Sequence, residues 1–226
     1  MPEPRPSTVE IRVWDLPTRL FHWVLAACVL GSVVSAKVGG AAMIWHFRFG
    51  YAVFALLLFR LLWGLVGGRW SRFASFVYGP GTLWRYLRGR AAADERLDVG
   101  HSPLGALSVF ALLAVLIAQV ATGLVADDEI FTVGPLNKFV TGATAIEATA
   151  WHKGWGQWLI LGLVGLHIAA VMVYTALGRG ILGAMVGGDK PLPQATPASR
   201  DDLRTRILAL VVLGAAAAVV AWVSSL

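Results

Sequence analysis

The sequence predicts an all-α integral membrane protein: a four-helix transmembrane bundle followed by a fifth, C-terminal transmembrane helix. Three observations predict it. The 226-residue chain is 57% hydrophobic and 14% charged, more apolar and less charged than a soluble domain. Its apolar residues gather in five runs, each close to the ~20 residues that cross a bilayer as a helix. Its basic residues gather between alternate runs, the pattern of loops retained on the cytoplasmic side.

The elements follow in order. Residues 1–15 are polar, proline-rich and basic, and read as a cytoplasmic tail. The first run extends from Leu16 to about Ala36. It has some features of a secretory signal, because Arg19 precedes an apolar stretch ending in Val34, Ser35 and Ala36. Its length and the presence of His22 favour a retained transmembrane helix. After a Gly- and Ala-rich connector, the second helix runs from about Ile44 to Val66 and carries His46 near its start. The segment Gly67–Gly100 then supplies Arg69, Arg72, Arg85, Arg88, Arg90 and Arg96, and its stretch GPGTLWRYLRG reads as a short amphipathic helix on the membrane surface.

The third helix, from about Pro103 to Ala126, is introduced by His101. The loop after it opens with Asp127, Asp128 and Glu129, which read as a solvated acidic turn or as a docking point for a basic soluble protein. The fourth helix is Trp151–Tyr174. Arg179, Lys190, Arg200, Arg204 and Arg206 return in the stretch after it, and a fifth run, Ile207–Leu226, reaches the C-terminus. The expected organisation is a cytoplasmic tail (1–15), a four-helix core (16–177), a cytoplasmic linker (178–206) and a C-terminal transmembrane helix (207–226). With Arg5, Arg12 and Arg19 at the N-terminal end, the charge alternation puts the N-terminus in the cytoplasm and the C-terminus in the periplasm. The formal charge of +6 is explained by these loops and does not call for nucleic acid.

The fourth helix carries the chemistry. His152 and His167 are fifteen residues apart, about 22 Å along a helix axis and about 60° around it. In a bilayer core about 30 Å thick, one lies near each face. The alternation of spans places His22 at the inner depth with His167, and His46 at the outer depth with His152. An imidazole in lipid is costly unless something binds it. Two facing neutral imidazoles with a flat apolar ring between them describe a bis-histidine haem b, so the depth pairs predict two. With Cys28 the single cysteine, disulfide frameworks, cysteine-rich metal sites and the C-x-x-C-H attachment of c-type haem are excluded. Zinc would want four ligands, and no acidic residue falls inside the expected spans.

Taken singly, each histidine could be a hydrogen-bonded packing residue or an interfacial, solvated one. His101 has no partner at its depth and reads as structural or as a neighbour of the inner haem, not as an axial ligand. Arg19 and Arg60 are candidate partners of the inner haem propionates, and Arg48 and Lys153 of the outer ones; snorkelling to the interface would explain them equally well. Gly31, Gly50, Gly105, Gly123, Gly162 and Gly165 could let a porphyrin approach the backbone or serve helix contacts.

The pieces VWDLPTRLFHW, WHFRFGYAVFALLLFRLLWG, GHSPLGALSVFALL and WHKGWGQWLILGLVGLH resemble the prokaryotic cytochrome b561 family, which includes the b-type cytochrome subunits of nickel–iron hydrogenases. GPGTLWRYLRG and TGLVADDEIFTVGPL also resemble family segments, and together the pieces span roughly residues 13–175. The resemblance implies two non-covalent b haems in the four-helix bundle, with His22, His46, His152 and His167 as axial iron ligands. It also implies electron transfer across the inner membrane between quinone or quinol and a periplasmic cytochrome or oxidoreductase subunit. The His152–His167 spacing of fifteen, against fourteen expected from the resemblance, calls for a bulge or tilt. The fifth span is additional to that core and, with Gly214 and Ala218 at small-xxx-small spacing, is a candidate surface for homo-oligomer or partner contacts.

Three rival readings remain at this point. One is a membrane-anchor subunit of a hydrogenase or similar complex. Another is a ferric-reductase-like protein, which needs two helices each bearing a spaced histidine pair, whereas only the fourth helix does so. The third is a haem-free transporter or assembly protein with packing histidines.

Overall fold

In the computed structural model, described over residues 8–91, 95–128 and 132–226, helices dominate. Arg5 and Glu129, which entered the topology and acidic-turn readings, lie outside the described residues. The elements are β1 (Val9–Arg12), α1 (Leu16–Val38), α2 (Met43–Val66), α3 (Pro80–Leu87), α4 (Pro103–Val125), α5 (Gly142–Trp151), α6 (Gln157–Ala176), α7 (Ile181–Gly187), β2 (Asp189–Leu192) and α8 (Leu203–Ser224).

Among the described residues, five helical stretches are long and apolar enough to cross a membrane: Leu16–Val38, Gly40–Val66, Pro103–Val125, Gly142–Ala176 and Leu203–Ser224. Their outward faces are apolar. Leu30, Leu65, Leu166, Met172 and Leu210 are each about two-thirds exposed, which suits side chains that meet lipid rather than water. The protein is an all-α integral membrane protein with multiple spans.

Two features depart from the expected elements. The fourth helical stretch begins nine residues before Trp151, at Gly142, and runs 35 residues through α5, a π-helical turn (His152–Gly156) and α6. Thr141 opens it, its hydroxyl accepting from the Thr144 amide. The stretch read as a tail and the stretch read as a linker are joined: β1 pairs antiparallel with β2, Val9 opposite Leu192 and Arg12 opposite Asp189.

The chain forms two compact units. The first comprises Met1–Leu20, Leu62–Leu107 and Ile168–Ala209. Its core packs Val13, Trp14, Val99, Ala184 and Leu192 together. Arg12 forks onto both Asp189 carboxylate oxygens at 2.7 and 2.9 Å and reaches Asp201 at 3.0 Å. Lys190 is largely buried and donates to the Asp98 carbonyl; burial lowers its pKa below the lysine range, with the Asp98 charge acting in the opposite sense.

Asp15 is fully buried in this unit and caps α1: one carboxylate oxygen accepts from the Thr18 amide at 2.7 Å. The other accepts from the Gly68 amide at 3.1 Å and from the Ser71 hydroxyl at 3.0 Å. Trp63, at the end of α2, donates its indole N–H to Asp15 at 3.3 Å and to Thr18 at 3.2 Å. One carboxylate thus ties the start of α1 to the end of α2.

The second unit comprises Phe21–Leu61, Ser108–His167 and Leu210–Leu226 and contains the four histidines expected as ligands. Its outlying loop is tied to helix ends: Asn137 donates to the Val125 carbonyl at 3.0 Å, and Thr149 accepts from the Asp127 amide at 2.9 Å. Lys138 donates to the carbonyl of Leu226 at 2.7 Å.

Candidate haem-binding clefts

The structure brings the histidines together in two pairs within the second unit. His22 of α1 faces His167 of α6 with ring centroids 6.2 Å apart and planes inclined at 52°. His46 of α2 faces His152 of the π turn with centroids 5.9 Å apart and planes at 89°. Two imidazoles gripping one metal through nitrogens about 2 Å from it have centroids about 6 Å apart. Both pairs fit a bis-histidine metal centre in this respect. Among the described residues no group of three or more His, Cys, Asp and Glu gathers as a metal site, so the donor set is imidazole alone.

The His46–His152 pair opens onto a cavity of about 520 Å³ lined by, among others, Ser32, Gly50, Gln119 and Gly123. That volume falls in the range of cofactor pockets, roughly 300–1,000 Å³. Among the described residues, nothing outside the local α2 backbone lies within 4 Å of where a Gly50 Cβ would stand, so the cavity reaches the α2 backbone there.

Hydrogen bonds set the chemistry of these two rings. His46 Nδ1 lies 3.0 Å from the Ser32 carbonyl and 3.0 Å from the Ser32 hydroxyl. His152 Nδ1 lies 2.9 Å from the Gln119 carbonyl. A carbonyl only accepts, so in both rings Nδ1 carries the proton and Nε2 of the neutral ring keeps the lone pair that binds metal.

The sequence places His152 through a local distortion. The residues His152–Gly156 form a π turn, with Gly154 at φ −98°, ψ −107° marking a kink. A π turn absorbs one residue beyond α-helical spacing, so the fifteen-residue interval is accommodated by the bulge that the spacing called for. Gly123 leaves the room the ring needs: a Cβ there would stand 2.9 Å from His152 Cε1.

The His22–His167 pair is built differently. His22 Nδ1 is buried with no hydrogen-bond partner among the described residues, and the ring meets Trp23 edge-on at 5.0 Å. Arg60 is buried in α2, 3% exposed. Arg19 donates to the Val186 carbonyl at 2.6 Å, in the first unit. Of the two cations expected at the other pair, Lys153 lines the cavity together with Lys37, whereas Arg48 stacks over the Trp45 ring at 4.8 Å. His101 belongs to the first unit, where its ring packs against Trp14 at 4.7 Å and Phe76 at 4.5 Å.

The glycines divide. Gly50, Gly162 and Gly165 border open space, whereas a Cβ at Gly31 would strike the Phe49 ring. The residues that sequence reasoning passed over are Ser32, Gln119 and Thr122. A signal for two of them was present: Gln119 and Thr122 are polar side chains inside an apolar span and recur with Gly123 at i, i+3, i+4, on one helix face.

A multi-span membrane protein with two imidazole pairs matched to bis-histidine ligation is the class that fold and site define. The chain belongs to the prokaryotic cytochrome b561 family, whose model matches residues 13–188. Among its relatives is the probable Ni/Fe-hydrogenase 1 B-type cytochrome subunit of Escherichia coli (strain K12), 24% identical over 209 residues, covering 78% of this chain and 86% of that protein. The probable Ni/Fe-hydrogenase B-type cytochrome subunit of Azotobacter vinelandii is 25% identical over 215 residues, covering 79% and 87%. The corresponding subunit of Bradyrhizobium diazoefficiens is 22% identical over 222 residues, covering 80% and 85%. No solved structure matches the chain. The family is one of b-type cytochromes, so the cofactor class is haem b.

Proposed function

We propose that this chain is a di-haem cytochrome b that carries electrons across the inner membrane, with His22 and His167 ligating one haem iron and His46 and His152 the other. The observation that carries this reading is the pair of imidazole separations, 6.2 and 5.9 Å, on helices that cross the membrane. Bound haem b supplies a one-electron ferric/ferrous couple at each site. The protein's part would be to present four imidazole lone pairs, two to each haem, from His22 with His167 and from His46 with His152. Two imidazoles on each iron would leave no open coordination site and disfavour oxygen chemistry.

The positive-inside distribution supports a cytoplasmic N-terminus and a periplasmic C-terminus. In that orientation the His22–His167 site is the inner one and the His46–His152 site the outer one. Quinone or quinol is the proposed membrane-phase partner, and a periplasmic cytochrome or oxidoreductase subunit the outer one. The names of the relatives favour a specific form of this reading, in which the chain is the haem-b anchor of a hydrogenase-like complex. Lys37 and Lys153, lining the outer cavity, are suited to haem propionates, and Arg60 and Arg19 are the inner candidates.

A reduced-minus-oxidised spectrum with a haem-to-protein ratio tests the cofactor reading: a b-type band and two haems per chain are expected, and a folded protein with no such band ends it. Reduction of the purified protein by different quinols, and identification of co-purifying subunits, separates a free-standing carrier from a hydrogenase-type anchor.

A further inference from the structure

We propose that Gln119 is the positioning residue of the His152 ligand, holding its ring and its main chain at once. The inference rests on the bis-histidine reading of the His46–His152 site. The Gln119 carbonyl accepts the His152 Nδ1 proton at 2.9 Å. The Gln119 side chain donates its amide N–H to the His152 carbonyl, also at 2.9 Å. The two residues therefore embrace through one ring bond and one main-chain bond, 33 positions apart in sequence.

The reason such a clasp is needed lies in the π turn. His152 opens a five-residue π turn with a non-helical Gly154 at its centre, where helical geometry alone no longer dictates the direction of the ring. The Gln119 bond supplies an external reference at that carbonyl. The neighbouring chain makes room for it: a Cβ at Gly156 would stand 2.1 Å from Gln119 Oε1. Thr122, one turn further along α4, donates to the same Gln119 carbonyl at 3.1 Å.

Stability alone does not account for an amide here. Among the described residues Gln119 Oε1 is buried without a hydrogen-bond partner, a state that costs stability. An apolar side chain of similar size would fill the position without that cost. What it would lose is the bond to His152. Outer partners that hold a metal-ligating histidine raise its donor strength and fix its plane. Loosening the clasp therefore weakens the Nδ1–H···O=C bond, makes the imidazole a poorer donor to ferric iron and raises the potential of that haem alone.

The test is Gln119→Leu and, as a second apolar variant, Gln119→Met, each purified with its haem. Expected are two haems per chain and an altered low-spin electron paramagnetic resonance spectrum for one haem. The midpoint potential of that haem should rise so that its ferric-to-ferrous ratio at fixed potential changes about three- to tenfold, about 30–60 mV for one electron. The other haem should stay unchanged. Two haems with wild-type spectrum and potentials, or equal shifts at both, would overturn the role of Gln119. Loss of the one haem in both variants would also overturn it, since the side chain would then be needed for the site to exist. If wild-type protein carries no haem, or if His152→Ala spares both, it is the bis-histidine reading beneath the proposal that fails.

Discussion

The two histidine pairs have nearly equal ring separations and unlike surroundings. At His46–His152 each ring has a backbone carbonyl on Nδ1, from Ser32 and Gln119, and the planes are close to perpendicular at 89°. At His22–His167 the planes stand at 52°, and the buried His22 Nδ1 has no hydrogen-bond partner among the described residues. One pair of rings is oriented through hydrogen bonds between neighbouring helices. At the other, His22 lies in the second turn of α1, the helix that Asp15 caps. The difference teaches that separation sets whether two imidazoles can share an iron, while the partners behind them set how strongly each donates.

The largest expected effect breaks the comparison outright. Replacing His22 or His167 by alanine should take the haem content from two per chain to one and leave the His46–His152 haem in place. Replacing His46 or His152 should do the reverse. Haem extraction and quantification against protein mass checks it, and loss of both haems together from a folded variant would sink the pairing.

Next in size is Gly50→Leu. Among the described residues, nothing outside the local α2 backbone lies within 4 Å of the added Cβ position, so the protein itself should fold normally. A side chain there projects into the cavity at His46–His152, so occupancy of that haem alone should fall. Unchanged occupancy would show that no macrocycle lies against the α2 backbone.

Asp15→Ala sharpens the contrast at the other end. Losing the α1 cap and leaving the buried Gly68 amide without its Asp15 acceptor should cost about 1–3 kcal/mol, read as a lower unfolding midpoint. Because His22 depends on the placement of α1, its haem should dissociate first on heating. Release of the His46–His152 haem first would contradict that dependence.

The smallest effect is a difference within the unaltered protein. Carbonyl partners on both Nδ1 atoms enrich the His46–His152 imidazoles, so this haem should titrate at the lower midpoint potential. Its near-perpendicular rings should also give the more anisotropic low-spin resonance. Assignment through the single-histidine variants checks both statements.

Much of the fold was legible in the chain. Spans, loops and the depth of each histidine follow from counting along a helix that rises about 1.5 Å per residue in a bilayer about 30 Å thick. The long interval between His152 and His167, measured against the fourteen that the resemblance implied, pointed to a bulge or a tilt, and the chain has a π turn there. Less legible was the strand Val9–Arg12: it pairs with Asp189–Leu192, a partner about 180 positions away that four residues cannot announce. Asp15 looked like the last polar residue of a tail, although it is the buried joint between two helices.

The apolar runs marked a multi-span membrane protein and the family segments marked a b-type cytochrome, since apolarity along a run is a property of a single helix. Only the tertiary structure decided that Ser32 stands behind His46, that Gln119 clasps His152 and that nothing among the described residues hydrogen-bonds His22 Nδ1. Those contacts depend on how each helix is rotated about its axis. Lipid surrounds a helix evenly and leaves that angle free, so only packing against a neighbour fixes it.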